Sequence, residues 1–73
     1  MRHYVTYRVP KLDLEEDEKF RSKLLGSAHW YHMETVDVEN GDTEFEITVS
    51  VEERTASFIA LRYNCTIRPN HGI

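Results

Sequence analysis

Three residues come closest to a reactive or metal-binding set: His29, His32 and Cys65. A zinc site needs four ligands from paired short spacings, and His29-x-x-His32 has no second pair to complete it. On a strand, positions three apart also point to opposite faces. A Cys65/His32 nucleophile pair fares no better. The alternation of Leu61, Tyr63 and Cys65 places the thiol on an apolar face, where it is inert. Asp37 and Glu44 have the types of a hydrolase dyad, yet they fall on an exposed ladder without an enclosing pocket. The glycines are scattered singly, so no phosphate-cradling loop is present. The residues therefore predict no enzyme, no cofactor and no metal.

The elements that position these residues follow from local pattern. Residues 2–9 alternate His3, Val5, Tyr7 and Val9 against Arg2, Tyr4, Thr6 and Arg8, a strand stopped by Pro10. Asp13 with Glu16 three residues later reads as a capping box, and Gly26 ends the helix. Acids fill its first turns and Lys19, Arg21 and Lys23 its later ones, as the helix dipole favours. Its apolar stripe is short: Leu14, Phe20, Leu24 and Leu25.

A second strand covers about 28–38 and a third about 43–52, with Asn40-Gly41 as the signal for a two-residue type I′ hairpin. That loop sets Val36 opposite Phe45 and Asp37 opposite Glu44. It places Trp30, His32, Glu34, Val36 and Val38 in the core with Phe45, Ile47, Val49 and Val51. Tyr31 and Met33 then face outward beside Thr48 and Ser50, although a bulge near His32 would reverse the two faces.

Residues 55–68 fit two periods. Ile59, Leu61, Tyr63, Cys65 and Ile67 alternate as a strand, while Ala56, Ile59, Ala60 and Tyr63 fit a helical face. The strand reading is preferred for its β-branched and aromatic residues. The predicted fold is thus α+β: a single four-stranded antiparallel sheet with one helix, about 13–25, on one face (β-α-β-β-β). The alternative is the ferredoxin-like β-α-β-β-α-β. Residues 1–68 form one domain and 69–73 a flexible tail.

Composition bounds the function. Seventy-three residues make one small domain, burying only about 60% of its unfolded surface. No apolar run approaches the roughly 20 residues of a membrane span. One cysteine and no signal-like segment predict a reducing, cytosolic setting. Net charge is −4, and its distribution says more than its size. Eight acids and no Lys or Arg lie between Glu34 and Glu53, whereas Arg2, Arg8 and Lys11 mark one end and Arg54, Arg62 and Arg68 the other. An acidic face repels phosphates and attracts basic proteins. Sequence-specific nucleic-acid binding is not expected, though a smaller basic edge could still touch a phosphate. The expected partner-binding patch is Tyr4, Tyr31, Met33, Asp37, Glu44 and Glu46, apolar anchors beside carboxylates.

The opening MRHYVTYRVPKLDLEEDEKF, the acidic ENGDTEFE hairpin and the RPNHGI tail together resemble the small transcription regulators encoded by Xanthomonas bacteriophages. The resemblance runs end to end. It implies a protein of the host bacterial cytoplasm that binds host RNA polymerase through the N-terminal region of the β′ subunit. It further implies inhibition of sigma-dependent initiation and passage of elongating polymerase through terminators. A monomer is expected. Two other classes use the same features: an acidic DNA mimic or other inhibitor of a host defence enzyme, and an assembly factor that pairs through a sheet edge.

Overall fold

The computed structural model describes residues 2–39 and 41–69. Strand β1 (Arg2–Pro10) leads through a short 3-10 turn (Lys11–Asp13) into helix α1 (Leu14–Leu25). Strands β2 (Tyr31–Asp37) and β3 (Thr43–Glu52), helix α2 (Glu53–Arg62) and strand β4 (Cys65–Pro69) follow. The four strands form one antiparallel sheet in the order β2-β3-β1-β4. This is the ferredoxin-like β-α-β-β-α-β arrangement.

The α+β class and the single four-stranded sheet stand as expected, and the one-helix version does not. Residues 53–62 are helical, and the fourth strand begins only at Cys65. Glu53 in the first turn and Arg62 in the last suit the dipole, and the Tyr63 amide closes the helix on the Ile59 carbonyl at 2.9 Å. Ala56 and Ile59, three apart, turn inward to a core that a strand over the same residues would leave open on that side. Of the expected tail, Pro69 closes β4 and the remaining residues lie outside those described.

The β1 and β3 rows of the core are built where the period-two pattern placed them, and β2 adds no buried residue to it. Val5, Tyr7 and Val9 of β1 pair in register with Val49, Ile47 and Phe45 of β3, whose Val51 continues the same row. All but Phe45 are essentially inaccessible. Each fully buried aliphatic side chain contributes about 1.5–3 kcal/mol. Leu14, Phe20, Leu24 and Leu25 of α1 pack against this layer. The helix starts at Leu14 without a side-chain cap from Asp13, so the capping box does not form, and Gly26 ends it at a φ of +90°.

One acid of α1 is not solvated at all. Asp17 is fully buried, accepting from the Tyr7 hydroxyl at 2.8 Å and from Arg21 Nε at 2.6 Å. Arg21 in turn lies over the Tyr31 ring and 3.3 Å from His29 Nε2, while His29 Nδ1 contacts the Gly26 carbonyl at 2.7 Å. Tyr7 stacks on Tyr63, which meets Phe20 edge-on. A polar chain therefore runs through the centre of the helix–sheet interface.

Candidate functional site: the β2–β3 ribbon and the uncovered sheet face

The hairpin register differs by one residue from the two-residue-loop expectation. Asp37 pairs with Thr43, Thr35 with Phe45, Met33 with Ile47 and Tyr31 with Val49. The Val38 amide donates to the Asp42 carbonyl and the Gly41 amide to the Val38 carbonyl, which makes the connection from Val38 to Asp42 three residues long. Gly41, at φ +84°, supplies the left-handed residue such a loop requires. Asn40 lies outside the described residues. A one-residue slip sends every β2 side chain to the other face.

That slip corrects the placement of the β2 side chains. Tyr31, Met33 and Asp37 stand on the helix-bearing face rather than beside Thr48 and Ser50. Trp30, His32 and Glu34 are exposed rather than core, and Val36 is only half-buried. Asp37 does not oppose Glu44; the like-charge pair across the ladder is Glu34 with Glu46. That pair is relieved from both sides. Arg8 Nε stands 3.4 Å from Glu46, and His32 Nε2 stands 3.0 Å from Glu34.

Strand β2 is an edge with no fully buried residue, so it projects from the core as a ribbon on β3. Tyr31 (47% exposed) and Met33 (38%) lie on its helix side. Arg21 covers one face of the Tyr31 ring, which leaves Met33 the freer apolar contact. The other side carries Glu34, Glu44 and Glu46. Of the six residues singled out in the sequence, the ribbon therefore gathers five, distributed over two faces. Tyr4 is apart from them, at the other end of the uncovered sheet face and against Trp30.

Trp30 is the surface residue that sequence reasoning missed. Its signal was present: on the slipped register it shares a face with Ser50 and Tyr4, each outward by the clean alternation of β1 and β3. The remaining reactive types stay separate. His29 faces Arg21, while Cys65 sits on the opposite edge strand, half-buried behind Tyr7, where burial raises its thiol pKa. Among the described residues no three His, Cys, Asp or Glu side chains are grouped to hold a metal ion. No helix there is long and apolar enough to cross a membrane.

Burial, followed by the Asp17 charge, pushes the Tyr7 phenol well above its ordinary value of about 10, and burial also raises Tyr63. Both groups ionise more readily in the unfolded chain. Their contribution is therefore fully present below about pH 10 and is lost as pH climbs above it. Stability should fall there by up to about 1.4 kcal/mol per pH unit for each tyrosine released. Tyr7→Phe should cost roughly 1.5–3 kcal/mol at neutral pH, the scale of a hydrogen bond to a charged group. It should also make the alkaline limb shallower by up to one proton. Urea titrations between pH 8 and 11 test this; an unchanged limb in the variant refutes the assignment.

Compared with protein-family models, curated proteins and solved structures, the chain matches none.

Proposed function

We propose that this chain is a non-catalytic recognition domain that uses its acidic β2–β3 ribbon to bind a basic protein segment. The observation that carries the reading is the ribbon itself. It is an edge strand with no fully buried residue, with Glu34, Glu44 and Glu46 on one side, Tyr31, Met33 and Asp37 on the other, and an unpaired backbone along its rim. Because Tyr31 and Met33 lie on the opposite side from Glu34, Glu44 and Glu46, a partner must wrap the rim to meet both sets. An extended basic segment that adds to the sheet would do so. A duplex mimic would want its carboxylates in one row, and here Asp37 and Glu44 fall on different faces.

The identity of the partner rests on the resemblance of the chain to the Xanthomonas phage regulators. On that reading it is host RNA polymerase, in the N-terminal region of β′, met in the bacterial cytoplasm by a monomer. Binding there inhibits sigma-dependent initiation and promotes antitermination.

Exposed ion pairs contribute only about 0–1 kcal/mol each, so the acids act chiefly on the association rate. Glu44→Lys with Glu46→Lys should slow association with the polymerase about tenfold at low salt, and the deficit should shrink above about 0.15 M. Folding should survive, because the lost Arg8 contact is offset by relief of the Glu34–Glu46 repulsion. Met33→Ala should instead speed dissociation at any salt. Stopped-flow mixing with the polymerase measures both. Wild-type association by the double reversal in low salt would remove the ribbon from consideration.

A further inference from the structure

The uncovered sheet face is polarised. At the end opposite the Glu34–Glu46 cluster, one cross-strand row brings together Ser50, Tyr4 and Arg68, with Trp30 packed on Tyr4 at 6.0 Å between ring centroids. Tyr4 is 38% exposed and Trp30 56%. Arg2 reaches into the same row, donating from Nε to the Ser50 hydroxyl at 3.1 Å and from a terminal nitrogen to the Ser50 carbonyl. We propose that this corner is a subsite for single-stranded nucleic acid, with one or two splayed bases on Trp30 and Tyr4 and the phosphates on Arg2 and Arg68.

The chemistry selects the occupant. Two aromatic side chains with accessible surface, Tyr4 on β1 and Trp30 just ahead of β2, meet across β3 on the open sheet face, and such a pair is a stacking platform for bases. Neither arginine is ion-paired among the described residues. Glu52 lies opposite Arg2 in register, yet the Arg2 guanidinium is turned to Ser50. An aromatic cage for an organic cation would have its charge opposed by these arginines. An anionic ligand with flat rings has it matched. The next row offers the hydroxyls of Thr6, Thr48 and Thr66, the first two bonded to each other at 2.9 Å, with the His32 imidazole at its β2 end, so the row itself holds no carboxylate. A duplex hides the ring faces that this corner would take. The surface reads no base edges, so binding is independent of sequence, and the overall charge of −4 keeps it weak. The proposal goes beyond the polymerase reading and uses neither the ribbon carboxylates Glu34, Glu44 and Glu46 nor Tyr31 and Met33.

Trp30 is the chain's single tryptophan, and its emission therefore reports the corner directly. The intact chain is titrated with single-stranded oligo(U) RNA and oligo(dT) DNA of about eight nucleotides, within the usual range of site sizes. Saturable quenching by either supports the subsite, and tighter binding of RNA assigns a contact to the 2′-hydroxyl. Two phosphate contacts predict a log–log salt slope of about −1.4, or about sevenfold weaker binding at 200 than at 50 mM salt. Tyr4→Ala should weaken binding about fivefold or more. Arg2→Gln with Arg68→Gln should abolish most of the salt dependence; Arg68→Gln alone, on an exposed side chain, serves if either of the other variants misfolds.

Absence of saturable quenching up to about 1 mM oligonucleotide, beyond the ordinary range of non-specific binding, overturns the proposal. So does wild-type binding by the arginine variants. Equal quenching by polyglutamate overturns it too and makes the corner a dock for an acidic protein. Glu44→Lys with Glu46→Lys should leave or strengthen oligonucleotide binding while slowing polymerase association, so failure of one reading is distinguishable from failure of the other.

Discussion

Asp17→Ala is expected to remove most of the domain's stability. A chain of this length has about 4–11 kcal/mol available. Deleting Asp17 leaves the Arg21 guanidinium buried without its carboxylate, a change that costs about 3–5 kcal/mol, and it strips the Tyr7 hydroxyl of its acceptor as well. The urea midpoint should fall to about half its wild-type value or lower. The cost belongs to the uncompensated charge and not to the net worth of the ion pair. Asp17→Leu combined with Arg21→Met and Tyr7→Phe should therefore recover much of the loss, because well-packed apolar replacements of buried pairs are often neutral. A loss below about 1 kcal/mol for Asp17→Ala would show that water reaches the pair and that the network is peripheral.

Ala60→Pro is expected to have the second-largest effect on the fold. Ala60 is exposed within α2, so only the backbone feels the change. Proline there removes the bond to the carbonyl four residues earlier and clashes with it, at about 3 kcal/mol or more. Ala60→Gly, which keeps the amide, should cost only about 1 kcal/mol. Denaturation of both variants, with backbone chemical shifts over 53–62, checks the element directly. Equal, small losses in the two would mean that the helical bonds of α2 contribute little.

These two sites also mark where the sequence was and was not readable. The inward faces of β1 and β3 could be read because period-two alternation is unambiguous when one side is fully buried. Helix α1 was bounded by its acids and by Gly26. Residues 55–68 satisfied both periods at once, and the choice depended on a core that only the assembled sheet defines. Strand β2 failed for the opposite reason. As an edge buried nowhere it has no apolar row to fix its register, so the loop decided, and Asn40-Gly41 suits either a two- or a three-residue connection. The residues expected together on one face are consequently split, with Tyr31, Met33 and Asp37 on the helix side and Glu44 and Glu46 on the other. Asp17 and Arg21 stood at an i,i+4 spacing that is ordinarily solvated. Nothing local says that Tyr7 will meet them from the sheet.

The position of β1 at the centre of the sheet has a consequence for how the molecule forms. Its partners are the remote β3 and β4: Val5 pairs with both Val49 and Ile67. The hairpin of β2 and β3 closes a short loop and can appear within microseconds, but β2 covers no core and gives that hairpin little to hold it. The productive nucleus must then be the long-range docking of β1 on β3, with its large loop-closure cost. Folding should accordingly be slow for so small a chain. Amide protons of β1 and β3 should be the last to exchange, while those of β2 should open locally without the rest.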